Sequence, residues 1–222
     1  QRDGEVDGST LELLGEARRL AETDDSEVSV LLMTADAGDW PQRLAEGGAD
    51  RVWLAEHEAL SHYTTEPCAA VLRQVIGEKK PAVVLAAATT TRPGAPSWEG
   101  SLSKARPAAD CTGLLIDPDT GLLLQTRPAF GGNIMATIVC EHTRPQMATV
   151  RPMVMKPADP DPGRKAEVER LDPDEGMLRS RVELLDFSPL EEGEVDITES
   201  EYIVSGGRGL KGPENFAMLE EL

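Results

Sequence analysis

The 222-residue sequence predicts an α/β fold: a mostly parallel sheet covered on both faces, extended by antiparallel strands, and followed by the first strand, turn and helix of a second domain. Three observations carry this. Amphipathic helical segments alternate three times with short apolar runs within the first 88 residues, as parallel βαβ crossovers require. Past residue 110 the spacing tightens to apolar runs separated by turn residues. A charged, proline-rich stretch closing on "PLEEGEVDITES" then precedes a glycine turn and a final helix.

Taken in order, Ser9 or Thr10 supplies a cap for a helix over residues 11–22, where Leu14, Ala17 and Ala21 recur at three- and four-residue spacing. "EVSVLLM" (27–33) reads as a buried strand. "WPQRLAEGGA" reads as a short helix ending at Gly47 and Gly48, and "DRVWLAE" as the strand after it. Residues 67–77 form a helix opened by Pro67, followed by the strand "PAVVLAAA" (81–88). "CTGLLIDPDTGLLLQTRPAF" holds an Asp-Pro-Asp-Thr-Gly turn at 117–121 between apolar segments, which is a hairpin signal, and "NIMATIVC" and "MATVRPMVM" read as two further strands. Residues 156–176 are rich in Pro and Asp without a period and read as a surface loop; "RSRVELLDF" (179–187) reads as an edge strand. The domains are therefore expected at 1–190 and 201–222, joined by an acidic linker at 191–200. In the second, "EYIVSGGRG" is a strand and glycine turn, and "PENFAMLEEL" a helix with Phe216, Leu219 and Leu222 on one face behind Pro213.

Forty acidic against 22 basic residues give a formal charge of −18, which repels phosphate backbones and anionic lipid and excludes nucleic acid and membrane surfaces as partner classes. No apolar run approaches the ~18–20 residues of a membrane span, and residues 1–8 lack the basic flank and apolar core of a signal peptide, so the chain reads as soluble and intracellular. Cys68, Cys111 and Cys140 are widely spaced in apolar or small-residue surroundings, which suits reduced core thiols; His57, His62 and His142 make no metal-ligand spacing with them. Met147, Met153 and Met155, with Ile134 and Met135, read as core filler. The acidic pairs at 24–25, 172/174 and 191–192 lie in polar stretches and read as solvated, and no Gly-x-Ser-x-Gly elbow is present. "RPAFGG" (127–132) combines an arginine, a rigid proline and two glycines; hairpin chemistry and contact with a partner subunit both account for it.

The glycine turn is the remaining candidate site. In "VSGGRGLKGPENFAMLEEL" (204–222) glycines allow close backbone approach and helix amides favour an anion, which singles out Gly206, Gly207 and Arg208; the bland reading is a tight turn with an exposed arginine. "TRPAFGGNIMATIVCEHTRPQMATVRPMVM" (126–155) together with this stretch resembles the alpha subunit of electron transfer flavoprotein. "LELLGEARRLAE", "PAVVLAAATTT" and "AADCTGLLID" match that family in order and spacing, so five stretches spread over most of the chain carry the resemblance.

The resemblance implies a Rossmann-like N-terminal domain and a C-terminal domain that holds most of an FAD. It implies a heterodimer with a beta subunit that in many members carries AMP. Electrons would come from acyl-CoA dehydrogenases or related flavoenzymes of fatty acid β-oxidation and leave to a quinone oxidoreductase or another acceptor, so the chain would be a carrier subunit with no independent catalysis. The setting would be the cytoplasm of a prokaryote, or the mitochondrial matrix in a eukaryote. Arg208 matches a family FAD-binding position, with Gly206 and Gly207 as its backbone neighbours. Beginning at "QRDGEVDG" and ending at Leu222, the chain reads as truncated at both ends, without the family's Ser-Arg, Gly-Gln-Thr-Gly and Ser-Gly-Ala-Ile-Gln-His flavin motifs. Residues 92–107, with Pro93 and Pro96, depart from the family's helix and read as a frame error or a remodelled loop. A different class also opens with Ser-Gly-Gly after a strand: ATP-using enzymes of the adenine-nucleotide hydrolase, pyrophosphatase-loop type. Their loop continues with Asp and Ser, where this chain has Arg208 and Gly209.

Overall fold

The computed structural model describes residues 6–23, 25–88, 108–186, 200 and 202–220; the stretch at 92–107 and the linker residues 191–199 lie outside them. Helix α1 (Gly8–Ala21) starts one turn earlier than the apolar spacing predicts, because Asp7 and not Ser9 or Thr10 caps it. The Asp7 carboxylate accepts from the Ser9 amide at 2.9 Å, which satisfies one of the first-turn donors. Strand β1 (Ser29–Thr34), α2 (Trp40–Glu46), β2 (Arg51–Glu56), α3 (Thr65–Lys79) and β3 (Val83–Ala87) follow in the alternation expected. Helix α2 stops at Gly47 and Gly48, the latter at φ +117°, a conformation that costs any residue with a Cβ.

Six strands complete the N-terminal unit: β4 (Ala108–Cys111), β5 (Gly113–Ile116), β6 (Leu123–Ala129), β7 (Ile134–Val139), β8 (Gln146–Val150) and β9 (Glu167–Leu171). They sort into three sheets. Two are parallel, in the orders β1-β2-β9 and β3-β8-β4; the third, β5-β6-β7, is an antiparallel meander. The α/β class with an antiparallel extension is as expected, with the parallel strands held in two ladders. Strand β8 lies between β3 and β4 and is buried along its whole length, as a parallel strand covered on both faces must be. The predicted turn joins β5 to β6: Asp117 accepts from the Asp119 amide at 3.0 Å and the Thr120 hydroxyl at 2.8 Å, and Gly121 takes φ +67°.

Two expectations fail here. The surface loop read at 156–176 contains β9, which runs parallel to β2. Its glutamates gave it the look of a loop, but they are neutralised, Glu167 across the ladder by Arg51 at 3.0 Å and Glu169 by Lys79 at the end of α3 at 2.5 Å. The edge strand read at 179–187 is absent among the described residues 179–186, where Val182 and Leu185 stand exposed; an apolar alternation makes a strand only when a sheet is there to receive it.

Two core clusters meet at α1. Leu14 packs with Leu32, Trp40, Leu44, Val52 and Leu54 on one side, while Leu20 packs with Cys111, Leu114, Leu123, Ala148 and Val150 on the other. Gly15 lies between them because a Cβ there would come within 2.5 Å of the Lys156 carbonyl oxygen and the Ala158 amide nitrogen. Among the described residues no helix is long and apolar enough to cross a membrane.

The start of β2 is fixed by one carboxylate. Asp50 accepts from the Val28 amide at 2.9 Å, from Arg164 at 2.5 Å and from Arg18 of α1, whose guanidinium also reaches the Gly48 carbonyl at 2.7 Å. Burial pushes the Asp50 carboxyl up, but the Val28 amide and the two guanidiniums outweigh it, and the group sits below the ordinary aspartate value. Its stabilisation is therefore complete above the unfolded-chain value of about 3.9 and is lost as pH falls through the lower folded-state value. Asp50→Ala is expected to cost about 2 kcal/mol at neutral pH, moderated by partial exposure of the group, with the deficit shrinking below about pH 3.9. Urea unfolding of both proteins at neutral and acidic pH checks this; equal stability at neutral pH would contradict it.

Candidate functional site

The chain divides into two compact units, Gln1–Glu183 and Leu184–Leu222, and each carries one candidate site. In the second, residues 202–207 form no strand, contrary to the alternation of "EYIVS"; no ladder partner exists among the described residues, and Tyr202, Ile203 and Val204 are exposed. The glycine turn is present. Gly207 precedes a single 3₁₀ turn, Arg208–Leu210, closed by the Leu210 amide donating to the Gly207 carbonyl at 2.9 Å and the Lys211 amide donating to the Arg208 carbonyl at 3.2 Å. Asn215 donates its side-chain amide to the Leu210 carbonyl at 2.6 Å, which ties the turn to a second one, Pro213–Phe216, that runs into the α-turn Ala217–Glu220. The predicted terminal helix is therefore present in a short, mixed form; Leu222 lies outside the described residues.

Gly206, Gly207 and Arg208 thus sit together in one exposed turn, for different reasons. A Cβ on Gly206 would lie 2.2 Å from Leu210 Cδ1 and 2.7 Å from Leu219 Cδ1, so the two leucines close over a bare backbone. Gly207 faces open space. The Arg208 guanidinium is exposed and has no hydrogen-bond partner among the described residues, which leaves all its donors to a ligand. An exposed guanidinium beside an uncovered glycine backbone suits an anionic group such as a phosphate.

The other site is the corner between β6 and β7. Gly131 and Gly132 take φ +73° and +91° there, and Arg127, Pro128, Ala129, both glycines and Arg151 line a recess of about 470 Å³. Arg151 grips Asp110 with two bonds, at 2.9 and 2.5 Å. That guanidinium, with Arg127 nearby, holds the Asp110 carboxyl below its ordinary value against the opposing effect of burial. Next to it the Cys111 thiol is fully buried, and burial pushes its pKa up to about 11. The corner has an apolar flank: Ile134 and Met135 are 54% and 55% exposed. Of the residues expected as core filler, Met147 is buried, but Ile134, Met135 and Met153 are exposed because the outer face of the meander and the turn after β8 carry no covering layer among the described residues.

The sequence reading missed the pairing of Asp110 with Arg151, which lie far apart in the chain and carry no local signal of it. It also missed Gln146, fully buried, whose side-chain carbonyl accepts from the Leu123 amide at 2.9 Å and joins β8 to the meander. None of the three cysteines is in a disulfide; Cys68 and Cys111 are buried and Cys140 partly so. Asp172 and Asp174 are exposed, and Asp174 accepts from the Gly176 amide; the pairs at 24–25 and 191–192 fall at least partly outside the described residues. Among the described residues no three His, Cys, Asp or Glu side chains come together as a metal ion requires.

The chain is similar to proteins of one known family. A family model described as "Electron transfer flavoprotein domain" matches residues 1–176. The chain is 43% identical to an electron transfer flavoprotein subunit alpha from Thermoanaerobacterium thermosaccharolyticum, over all of this chain and 67% of that protein. It is 40% identical to the protein FixB of Clostridium saccharobutylicum, over all of this chain and 66% of that one. It is 36% identical to the LctC subunit of a lactate dehydrogenase (NAD(+),ferredoxin) from Acetobacterium woodii, over 99% of this chain and 52% of that protein. The chain therefore spans about two thirds of the length of the first two relatives and about half of the third.

The two glycines of the terminal turn should respond differently to substitution. Gly206→Ala forces Leu210 and Leu219 apart and is expected to speed hydrogen exchange of the Leu210 amide at least about tenfold, whereas Gly207→Ala, entering open space, changes it by less than about threefold. Amide exchange followed by NMR reads both, and equal effects would contradict the packing assigned to Gly206.

Proposed function

This chain belongs to the electron transfer flavoprotein family, on its alpha-subunit side, and from that premise we propose that it is one subunit of a heterodimeric electron carrier that works through bound FAD. The observation that carries the reading is that similarity to an alpha subunit runs through both units, the terminal turn included, and not through the N-terminal unit alone. Bound FAD supplies the redox chemistry. What this chain would contribute is position and charge: Arg208 would donate charge-assisted hydrogen bonds to the diphosphate and Gly207 would admit the backbone to it, while Gly206 keeps the turn closed beneath Leu210 and Leu219. The remainder of the flavin site would come from the rest of the full-length protein and from the beta subunit, which in many members of the family carries AMP.

The corner between β6 and β7 is our choice for the beta-subunit contact in the N-terminal unit. Exposed Ile134 and Met135 beside an arginine-lined recess give an apolar centre with a polar rim, the composition of a protein interface. Acyl-CoA or related dehydrogenases of fatty acid β-oxidation are the proposed donors and a quinone oxidoreductase the proposed acceptor, in the cytoplasm of a bacterium. A relative named as a lactate dehydrogenase subunit supports a dehydrogenase partner. The adenine-nucleotide hydrolase alternative continues Ser-Gly-Gly with Asp and Ser, where this chain has Arg208 and Gly209.

Co-expressed at full length with its beta subunit, the protein is expected to purify as a yellow heterodimer that a partner acyl-CoA dehydrogenase reduces with its substrate. A colourless heterodimer that takes up no flavin would refute the proposal. In that heterodimer Arg208→Ala is expected to weaken FAD binding about 10- to 100-fold, the worth of one charge-assisted contact of about 1.5–3 kcal/mol. Equilibrium titration of the apoprotein measures it, and an unchanged Kd removes Arg208 from the site.

A further inference from the structure

The outer face of the antiparallel meander is an apolar stripe. Across its ladders Met135 lies opposite Pro128, Thr137 opposite Thr126 and Val139 opposite Leu124, which also lies opposite Leu115. Residues opposite one another share a face. Their neighbours point inward: Leu114 and Leu123 belong to the core cluster beneath, Ile138 packs on it and Gln125 is fully buried. On the outward side Met135, Leu115 and Val139 are exposed, and Thr126 and Thr137 bond their hydroxyls to each other at 3.1 Å. Sulfur is divided between this face and the interior. Cys68, Cys111 and Met147 are buried, whereas Met135, Met153, Met177 and Met218 are exposed. Met153 and Met177 stand in turns and Met218 in the short terminal helix. Among the described residues Met135 is the exposed sulfur that lies in an apolar face of a sheet.

We propose that Met135 is a reversible oxidation site that governs assembly: hydrogen peroxide converts it to the sulfoxide in the unassembled subunit, and the sulfoxide keeps the meander from its partner. This rests on the reading above that the corner holding Ile134 and Met135 meets the beta subunit. In the oxidation a thioether lone pair attacks one peroxide oxygen, an S–O bond forms as the O–O bond breaks, and after proton transfer the second oxygen leaves as water. Sulfur loses two electrons and the peroxide gains them. The product is polar where the thioether was apolar, and inside an apolar contact it gives up bound water without a donor to replace it. Pro128, its neighbour across the ladder, has no N–H to offer. Assembly covers the same sulfur. Oxidation therefore acts before the subunits meet and is blocked once they have.

The test uses the full-length heterodimer, diluted to near its Kd so that subunits exchange, and treated with hydrogen peroxide. Peptide mass spectrometry is expected to find Met135 oxidised, at a rate that falls at least about fivefold when the heterodimer is concentrated far above its Kd, with Met177 as the internal reference for dose. The Kd of the treated wild type is expected to rise about 10-fold and to recover on reduction by methionine sulfoxide reductase. Met135→Leu, which keeps volume and apolarity, should hold its Kd within about twofold under the same treatment. Met135→Gln carries a comparable polar group and should reproduce the rise with no oxidant, in a heterodimer made by co-expression. Four results overturn the proposal: equal loss of assembly in Met135→Leu, Met135 unoxidised while Met177 is oxidised, equal oxidation of Met135 in dilute and concentrated heterodimer, and a wild-type Kd for Met135→Gln. Ile134→Arg separates this proposal from the reading beneath it. If that variant assembles normally, the corner is not the contact and both fall; if it blocks assembly while Met135→Gln does not, the oxidation site alone falls.

Discussion

Arg18 and Arg19 are neighbours on α1, yet they serve different sheets. Arg18 reaches Asp50 and the Gly48 carbonyl at the start of β2, whereas Arg19 donates to the Leu114 carbonyl of the meander at 2.6 Å while paired with Glu16. The apolar face of the helix divides in the same way, Leu14 toward the first parallel ladder and Leu20 toward the second. One helix therefore sets the distance and angle between sheets that share no ladder hydrogen bonds among the described residues. Its tolerance is small, since at Gly15 the crossing segment near Lys156 leaves no room for a methyl group.

Elements whose residues bury an unbroken apolar run or obey a turn rule were legible in the sequence: the strands at 29–34, 51–56 and 83–87, the short helix stopped by two glycines, and the hairpin with its Asp-Pro-Asp-Thr-Gly turn. Elements stabilised by partners distant in sequence were not. Strand β9 looks like a loop until Arg51 and Lys79 are placed beside its glutamates, and "RSRVELLDF" looks like a strand because nothing in its own residues reveals that no sheet edge receives it. The same division holds for the candidate site. Arg208 and its glycines were visible from local pattern and resemblance, and they do share one turn. The reason for Gly206, two leucines folding back from positions 210 and 219, was invisible, as was the pairing of Asp110 with an arginine forty-one residues away.

Charge is arranged unevenly. In the N-terminal unit Arg18, Arg19, Arg51, Arg151, Arg164 and Arg170 are each paired with carboxylates of the same unit. The excess acid that gives the chain its charge of −18 is left to face outward. An approaching protein therefore meets a field that favours basic patches on its own surface.

The thiol beside Asp110 has a further meaning for a protein of this family. Burial pushes the Cys111 thiol up to about 11, so it stays protonated at neutral pH, and it is the thiolate that attacks peroxides and disulfides. Full burial removes the second requirement, access. A subunit that works beside redox chemistry thus keeps sulfur in its core as plain packing volume, shielded from the oxidants that such chemistry can release.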